Sequence, residues 1–228
     1  MWDWLKDNGP ALQVVVSLLT ILVWVAYLNI FLASFKRQTR SSLLITRAGA
    51  RDLSGRCIVS NMGSEPAYLM DVLAELETGE RHQTFSAADR LELWDRDSVP
   101  EQGVSAIGPV ASGSYVDLGT FDDILTRGSK RLGEGGHLDE TTCLKLIVIA
   151  ATSQARDIVA AYRTFEFSRD EGSGQVRVLP VEIEAEQVRS RRQKRKLREL
   201  LRELQRNEVI ERDILPEVTG SPPKMKRS

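Results

Sequence analysis

The sequence predicts a mainly β protein with a single N-terminal transmembrane helix, a β-sandwich domain and a basic C-terminal α-helix. Three observations carry this expectation. Residues 11–35 form an apolar run without one charged side chain, residues 42–183 break into short alternating segments, and a stretch without Gly or Pro begins at Glu184. The chain therefore divides into a short exterior segment (1–10), a transmembrane helix (11–35) and a basic juxtamembrane linker (36–41). A sandwich domain (42–183), a basic helical arm (184–213) and a disordered tail (214–228) follow.

A helix over residues 11–35 would span roughly 37 Å, against about 30 Å of hydrocarbon. Lipid offers no partner to free backbone groups, so the run must be helical. Trp2 and Trp4 precede it, where amphipathic rings favour the headgroup region. A cleaved signal peptide fits poorly. The preceding residues include Asp3 and Asp7 against Lys6, and the apolar run exceeds the length of a signal core. Lys36, Arg37, Arg40, Arg47 and Arg51 follow the run, and Lys6 alone precedes it. Lys and Arg are retained in the cytoplasm, so the N-terminal segment is expected outside and the domain inside a bacterial-type inner membrane. Gln13, Ser17, Thr20, Trp24, Tyr27, Phe31 and Ser34 recur at steps of four and three. Helical geometry puts them on one stripe suited to packing against another membrane helix.

The 228 residues carry a net charge of −1, with cations concentrated beside the apolar run and over 189–198. The two cysteines, Cys57 and Cys143, form no CxxC or Cys/His cluster, so neither a metal site nor a cofactor is expected. In the cytoplasm both are expected as thiols, whereas outside they could pair, which makes their state a test of topology. His82 in a strand and His137 in a Gly-rich loop are expected at the surface. Gly133–Gly136 lacks the Lys-Ser/Thr of a phosphate loop, and Ser112-Gly113-Ser114 is no nucleophile elbow. Asp95-Arg96-Asp97 supplies only half a calcium loop, and Asp122-Asp123 reads as the start of a short helix. No catalytic constellation stands out, and a non-enzymatic protein is expected.

The strands are expected at Leu43–Arg47, Arg56–Asn61, Ala67–Glu77, His82–Ser86, Leu91–Trp94, Ser114–Leu118, Cys143–Ala151, Ile158–Phe167 and Val176–Ile183. Tyr68, Met70, Val72, Ala74 and Leu76 would share one face of their strand, with Asp71, Glu75 and Glu77 on the other. Leu144–Ile149 is apolar on nearly both faces, as a central strand requires, and Pro180 points to an edge. A short helix is expected at Phe121–Arg127, followed by a flexible loop over Gly128–Gly136. Strands without intervening amphipathic helices make a sandwich.

Val59-Ser60-Asn61-Met62-Gly63-Ser64-Glu65-Pro66-Ala67, with Val72 and Thr78-Gly79-Glu80 after it, resembles the strand–turn–strand signature of bacterial immunoglobulin-like sandwich modules. Asn and Gly tolerate the positive φ of a tight turn. The resemblance covers about 20 to 25 residues. It implies a binding or spacer domain without chemistry of its own.

In the arm, Glu182, Glu184 and Glu186 precede Arg189, Arg191, Arg192, Lys194, Arg195, Lys196 and Arg198, an order that suits the helix dipole. Leu197, Leu200, Leu201 and Leu204 make a short apolar edge that could dock on the sandwich, on a second copy or on a partner. With Lys36, Arg37 and Arg40, the arm's cations are candidates for contact with anionic lipid. Solvated Glu/Arg pairs and nucleic-acid phosphates are the alternatives. The expected partners are membrane lipid and another membrane protein or a second copy, and nucleic acid is not favoured. The expected role is a membrane-anchored interaction scaffold, with a tethered nucleic-acid binder or an accessory subunit of a transporter, channel or secretion complex as alternatives.

Overall fold

The computed structural model describes residues 9–38, 42–79, 81–88, 106–132, 141–153, 158–169, 175–207 and 209–211. The chain divides into two compact units, Met1–Arg40 and Ser41–Ser228. In the first, helix α1 covers Gly9–Gln38. Its Leu12–Ser34 portion has a mean hydropathy of 2.4 and is long and apolar enough to cross a membrane.

The second unit contains two antiparallel sheets. A three-stranded sheet has the order β1 (Leu43–Ala48), β2 (Arg56–Asn61), β6 (Tyr115–Thr120). The larger sheet runs β10 (Glu186–Gln187), β8 (Val159–Arg169), β7 (Thr141–Thr152), β3 (Ala67–Thr78), β4 (Arg81–Ser86), β11 (Val209–Ile210). Strand β5 (Gly108–Val110) adds to β3, and β9 (Val176–Pro180) adds to β8. The sheets share one core: Ile45, Cys57, Val59 and Leu118 from the small sheet meet Val72, Ala74, Leu144, Leu146 and Phe165 from the large one. The apolar Leu144–Ile149 segment lies in β7, between β8 and β3, where both faces are covered. The expected strand Leu91–Trp94 lies outside the described residues.

Helix α2 (Phe121–Leu132) closes one side of this core through Phe121, Ile124 and Leu125. A reciprocal cap starts it: Asp123 N–H donates to Thr120 Oγ1 at 3.0 Å, and Thr120 N–H donates to Asp123 Oδ2 at 2.8 Å. The helix runs past Arg127 through Gly128 and ends at Leu132, where a loop was expected. Gly128 is a contact residue here: a Cβ would lie 2.8 Å from the Phe85 ring and 3.0 Å from Leu76. Arg127 is fully buried and donates to the carbonyl oxygens of Ala87 and Leu118, which locks the helix to the ends of both sheets.

Strand β3 corrects the simple alternation. Leu69 pairs with Ala150 and Asp71 with Ile149, so Met70 is an extra residue. This bulge reverses the faces. Ala67 and Leu69 enter the core together with Val72, Ala74 and Leu76, while Tyr68 and Met70 are exposed.

The Asn61–Gly63 segment also differs from expectation. It carries the chain from one sheet to the other, and no described non-glycine residue has positive φ, nor does Gly63. Asn61 is instead a buried hydrogen-bonding hub. Its Nδ2 donates to Glu65 O at 2.7 Å and Val110 O at 3.0 Å, and its Oδ1 accepts from Gly63 N–H at 3.0 Å. Gly79, after β3, does use the left-handed region, at φ 60.

Helix α3 covers Arg191–Leu204, a later start and earlier end than residues 184–213. Residues upstream are drawn into the sheet: Glu186 and Gln187 pair with Tyr162 and Ala161. Strand β9 likewise stops at Pro180, short of Ile183: Val181 N–H still donates to Thr164 O at 3.0 Å, but Thr164 N–H turns to the Glu182 carboxylate at 2.8 Å, which ends the ladder. Helix α3 seats Leu197 and Leu200 in a second core with Leu73, Ile147, Ile149, Ala160, Tyr162 and Ile210, on the outer face of the large sheet.

Gly128→Ala should destabilise the domain by about 1–3 kcal/mol, since the new methyl overpacks a rigid aromatic contact. Denaturant unfolding of the full chain in detergent, followed by circular dichroism, measures this; an unchanged midpoint would contradict the close approach of α2.

Candidate interaction surface

Strand β1 is an edge of the small sheet, and its outward backbone groups are met by side chains from the large sheet. Leu43 N–H donates to Gln187 Oε1 at 3.3 Å, and Gln187 Nε2 donates to Leu43 O at 2.6 Å. Arg163 Nη1 donates to Ile45 O at 2.6 Å, and its Nη2 reaches Glu182 O at 3.1 Å and Ile183 O at 2.9 Å. Farther along β1, Arg47 Nη1 donates to Val178 O. Segment 182–189 is thereby fixed against the first residues of the domain.

A groove of about 500 Å³ lies at this junction, lined by Ser42, Leu43, Leu44, Glu184, Ala185, Glu186, Gln187 and Arg189. Two nearby carboxylates are engaged by the fold. Glu182 accepts from Thr164 N–H at 2.8 Å and Thr164 Oγ1 at 2.9 Å, and Glu186 accepts from the Tyr162 hydroxyl. Burial, followed by the bond to Glu186, raises the Tyr162 pKa and keeps its hydroxyl a donor.

Docking by Leu197 and Leu200 confines the cations of the arm to the remaining arc of α3. Arg189, Arg191, Arg192 and Arg195 are exposed, and Lys194, Lys196 and Arg198 are half-buried. Arg195 approaches Glu199 at 4.0 Å across one turn, an exposed pair that holds little charge back. Lys36 and Arg37 fall in α1, but their side chains and all of Arg40 lie outside the described residues.

Gln13, Ser17, Thr20, Trp24, Tyr27, Phe31 and Ser34 all lie in α1 and are exposed. Trp24 and Tyr27 stack edge to face with centroids 6.4 Å apart. Thr20 Oγ1 donates to Val16 O at 2.8 Å, and Asn29 Nδ2 donates to Val25 O at 2.9 Å. Such bonds let polar side chains sit in lipid without a partner helix.

A polar cluster that the strand pattern did not flag lies on the outer face of the large sheet. Glu75 is 2% exposed and is flanked across the strands by Lys145 and Thr84. His82 Nδ1 lies 3.3 Å from Glu75 Oε1, so His82 is half-buried beside a carboxylate and not a surface residue. Lys145 Nζ sits 4.4 Å from the centroid of the Tyr162 ring. Burial lowers the Lys145 pKa, and Glu75 opposes the shift. The period-two pattern assigned Glu75 to an outer face; it could not show that this face is covered.

A second cleft of about 230 Å³ is lined by Met70, Asp71, Ser86, Arg131, Leu201, Leu204 and Gln205. In it Asp71 Oδ1 accepts from Ser86 Oγ at 2.6 Å and from Val72 N–H at 2.8 Å. Burial still raises the Asp71 pKa. Neither cleft includes Glu75, His82 or Lys145. Among the described residues, no group of His, Cys, Asp and Glu converges in a way that could hold a metal ion. Ser112 lies in a turn, where its hydroxyl donates to Gly63 O at 2.7 Å, and Asp122 and Asp123 occupy the first turn of α2. His137, Gly133–Gly136 and Asp95–Asp97 lie outside the described residues.

Both cysteines are free thiols. Cys57 is buried between the sheets, whereas Cys143 alternates with the core residue Leu144 and so points to the opposite face of β7. The large sheet separates them. Their state therefore does not report the side of the membrane, contrary to the expectation that they could pair outside. Burial pushes each thiol up to about 12, with Glu77 and Glu166 adding to the effect at Cys143.

No protein-family model matches the sequence, and no match to it is found among curated proteins or solved structures.

At pH 8 a soluble maleimide should label the native chain slowly and label both cysteines rapidly in denaturant. Mass spectrometry reads the difference; fast native labelling of Cys57 would contradict its burial. Asp71→Asn should stabilise the domain at pH 7. Its folded pKa lies above the unfolded value near 3.9, so the ionised carboxylate lowers stability at neutral pH. Thermal melts should show the gain shrinking as the pH falls through about 4.

Proposed function

We propose that this chain is a single-pass, non-enzymatic scaffold of a bacterial-type inner membrane, with the N-terminal side of α1 outside and the domain in the cytoplasm. One observation carries the proposal. Helix α3 uses its leucines to dock on the domain and leaves Arg191, Arg192 and Arg195 exposed. An apolar edge consumed in the fold together with a cationic face left open suits contact with anionic groups. The cation excess after the apolar run supports the orientation. The two antiparallel sheets and the Asn61–Ala67 crossover support an immunoglobulin-like binding module. Confinement by α1 raises the effective concentration of weak contacts, so modest affinities suffice for assembly. Anionic lipid would add about 1 kcal/mol per cation near the surface. The stripe of Gln13, Ser17, Thr20, Trp24, Tyr27, Phe31 and Ser34 would supply a helix-packing face.

The full chain purified in mild detergent should retain a stoichiometric membrane partner or a second copy. Neutralising Arg191, Arg192 and Arg195 to Gln should reduce that yield severalfold without changing the circular dichroism spectrum. A clean monomer that shifts nucleic acid in a gel would instead favour a tethered nucleic-acid binder. External protease on intact cells should leave the domain uncut, and its digestion would reverse the orientation.

A further inference from the structure

Asn29 puts a side-chain amide inside the apolar span of α1. It lies six residues past Val23, the midpoint of Leu12–Ser34. That is about 9 Å along the axis, within a hydrocarbon half-thickness of about 15 Å. Its Nδ2 donates to Val25 O at 2.9 Å. The bond makes the residue tolerable in hydrocarbon, but it does not use up the amide, which has two N–H groups and a carbonyl. One N–H and Oδ1 have no partner among the described residues. Thr20 differs, because its hydroxyl has a single donor and that donor is used on Val16 O. Gln13, the other amide of the span, lies ten residues from Val23 in the opposite direction. At about 15 Å it reaches the headgroup boundary, where water can satisfy it.

Three features specify a second copy of this chain as the group that meets Asn29. An amide with a spare N–H and a carbonyl can bond its own image across a two-fold axis, one bond in each direction. All copies of one chain insert the same way round, so a second α1 brings its own Asn29 to the same depth. The surroundings of Asn29 also suit a close helix pair. Val15, Leu19, Leu22, Ala26, Asn29 and Ala33 recur at alternating steps of four and three, and all are exposed. At about 100° per residue they share an arc of about 80°, the seam of a left-handed helix pair. Ala26 and Ala33 bracket the amide with single methyl groups, which lets two backbones approach closely enough for a side chain as short as Asn to bridge them. This arc faces away from the stripe that holds Trp24, Tyr27 and Phe31.

We propose that α1 pairs side by side with α1 of a second copy through this arc, with Asn29 hydrogen-bonded to Asn29 across the axis. The proposal rests on α1 being the membrane span. It names a second copy as the occupant of one face and leaves the aromatic stripe on the other face open to a different membrane protein.

The test uses the full chain in native membranes, with Cys143→Ser as background because Cys57 is buried. A single cysteine is introduced at Leu22→Cys in the seam or at Ser17→Cys in the stripe, and a membrane-permeant oxidant links copies whose cysteines meet. Non-reducing gels read the dimer, and alkaline carbonate extraction reads membrane insertion. The expected result is a linked dimer from Leu22→Cys and little from Ser17→Cys. Adding Asn29→Leu should lower the Leu22→Cys yield about fivefold, the scale of one interhelical hydrogen bond in lipid, whereas Asn29→Gln keeps the amide and should retain it. Asn29→Leu makes α1 more apolar, so that variant should stay in the membrane and its lost dimer is not lost insertion. An unchanged yield with Asn29→Leu overturns the amide contact. Equal or stronger linking from Ser17→Cys overturns the choice of face. No dimer from either cysteine, with the chain retained after carbonate, overturns the pairing while the membrane span survives. Release of the chain by carbonate removes the span and the pairing with it.

Discussion

Strand β1 has a neighbour on one side only, and the groups on its open side are satisfied by Gln187 and Arg163. A buried backbone carbonyl left without a donor costs free energy comparable to a lost hydrogen bond. The polar side chains that meet β1 are thus a structural requirement of joining a small sheet to a large one. They also hold segment 182–189 against the entry of the chain into the domain. The start of α3 and the placement of Arg189 follow from that joint.

The large sheet is unusual in being covered on both faces by different means. Its inner face meets the small sheet and α2 across a mainly apolar interior that also buries Arg127 and Arg163. Its outer face meets the leucines of α3, and next to that seat lies the polar group of Glu75, His82, Lys145 and Tyr162. Burial of opposite charges together is rarely a large net gain in stability. It does penalise any shift of register, since sliding one strand would part Glu75 from Lys145. The same logic applies to Arg127, whose guanidinium reads carbonyls from two elements and so fixes α2 in one position.

Much of the strand layout was legible in the sequence because half-buried strands write their two faces into an alternating pattern. The limits Arg56–Asn61 were read correctly, and so was the central place of Leu144–Ile149. The misreadings have specific causes. At Met70 one extra residue reversed the alternation, a local event that leaves no mark in composition. Gly128 opens the Gly-rich stretch 128–136, which reads as a loop because Gly is a poor helix former. Only the packed Phe85 ring explains why a glycine is needed there. Glu186 and Gln187 look helical in isolation, yet strand pairing and the bonds to Tyr162 and Leu43 outweigh that propensity.

The chain by itself determined the features that depend on local composition: an apolar helix of membrane-spanning length, short antiparallel strands, and a charged helix with a leucine edge. These follow from hydropathy and period, which act over a few neighbouring residues. Tertiary structure alone decided which surface each element meets. It put α3 on the outer face of the large sheet, set Cys57 and Cys143 on opposite sides of β7, and buried Glu75 beside His82 and Lys145. Contacts of this kind join residues far apart in the chain, and they are chosen by packing and hydrogen-bond satisfaction across the whole domain, which no local pattern encodes.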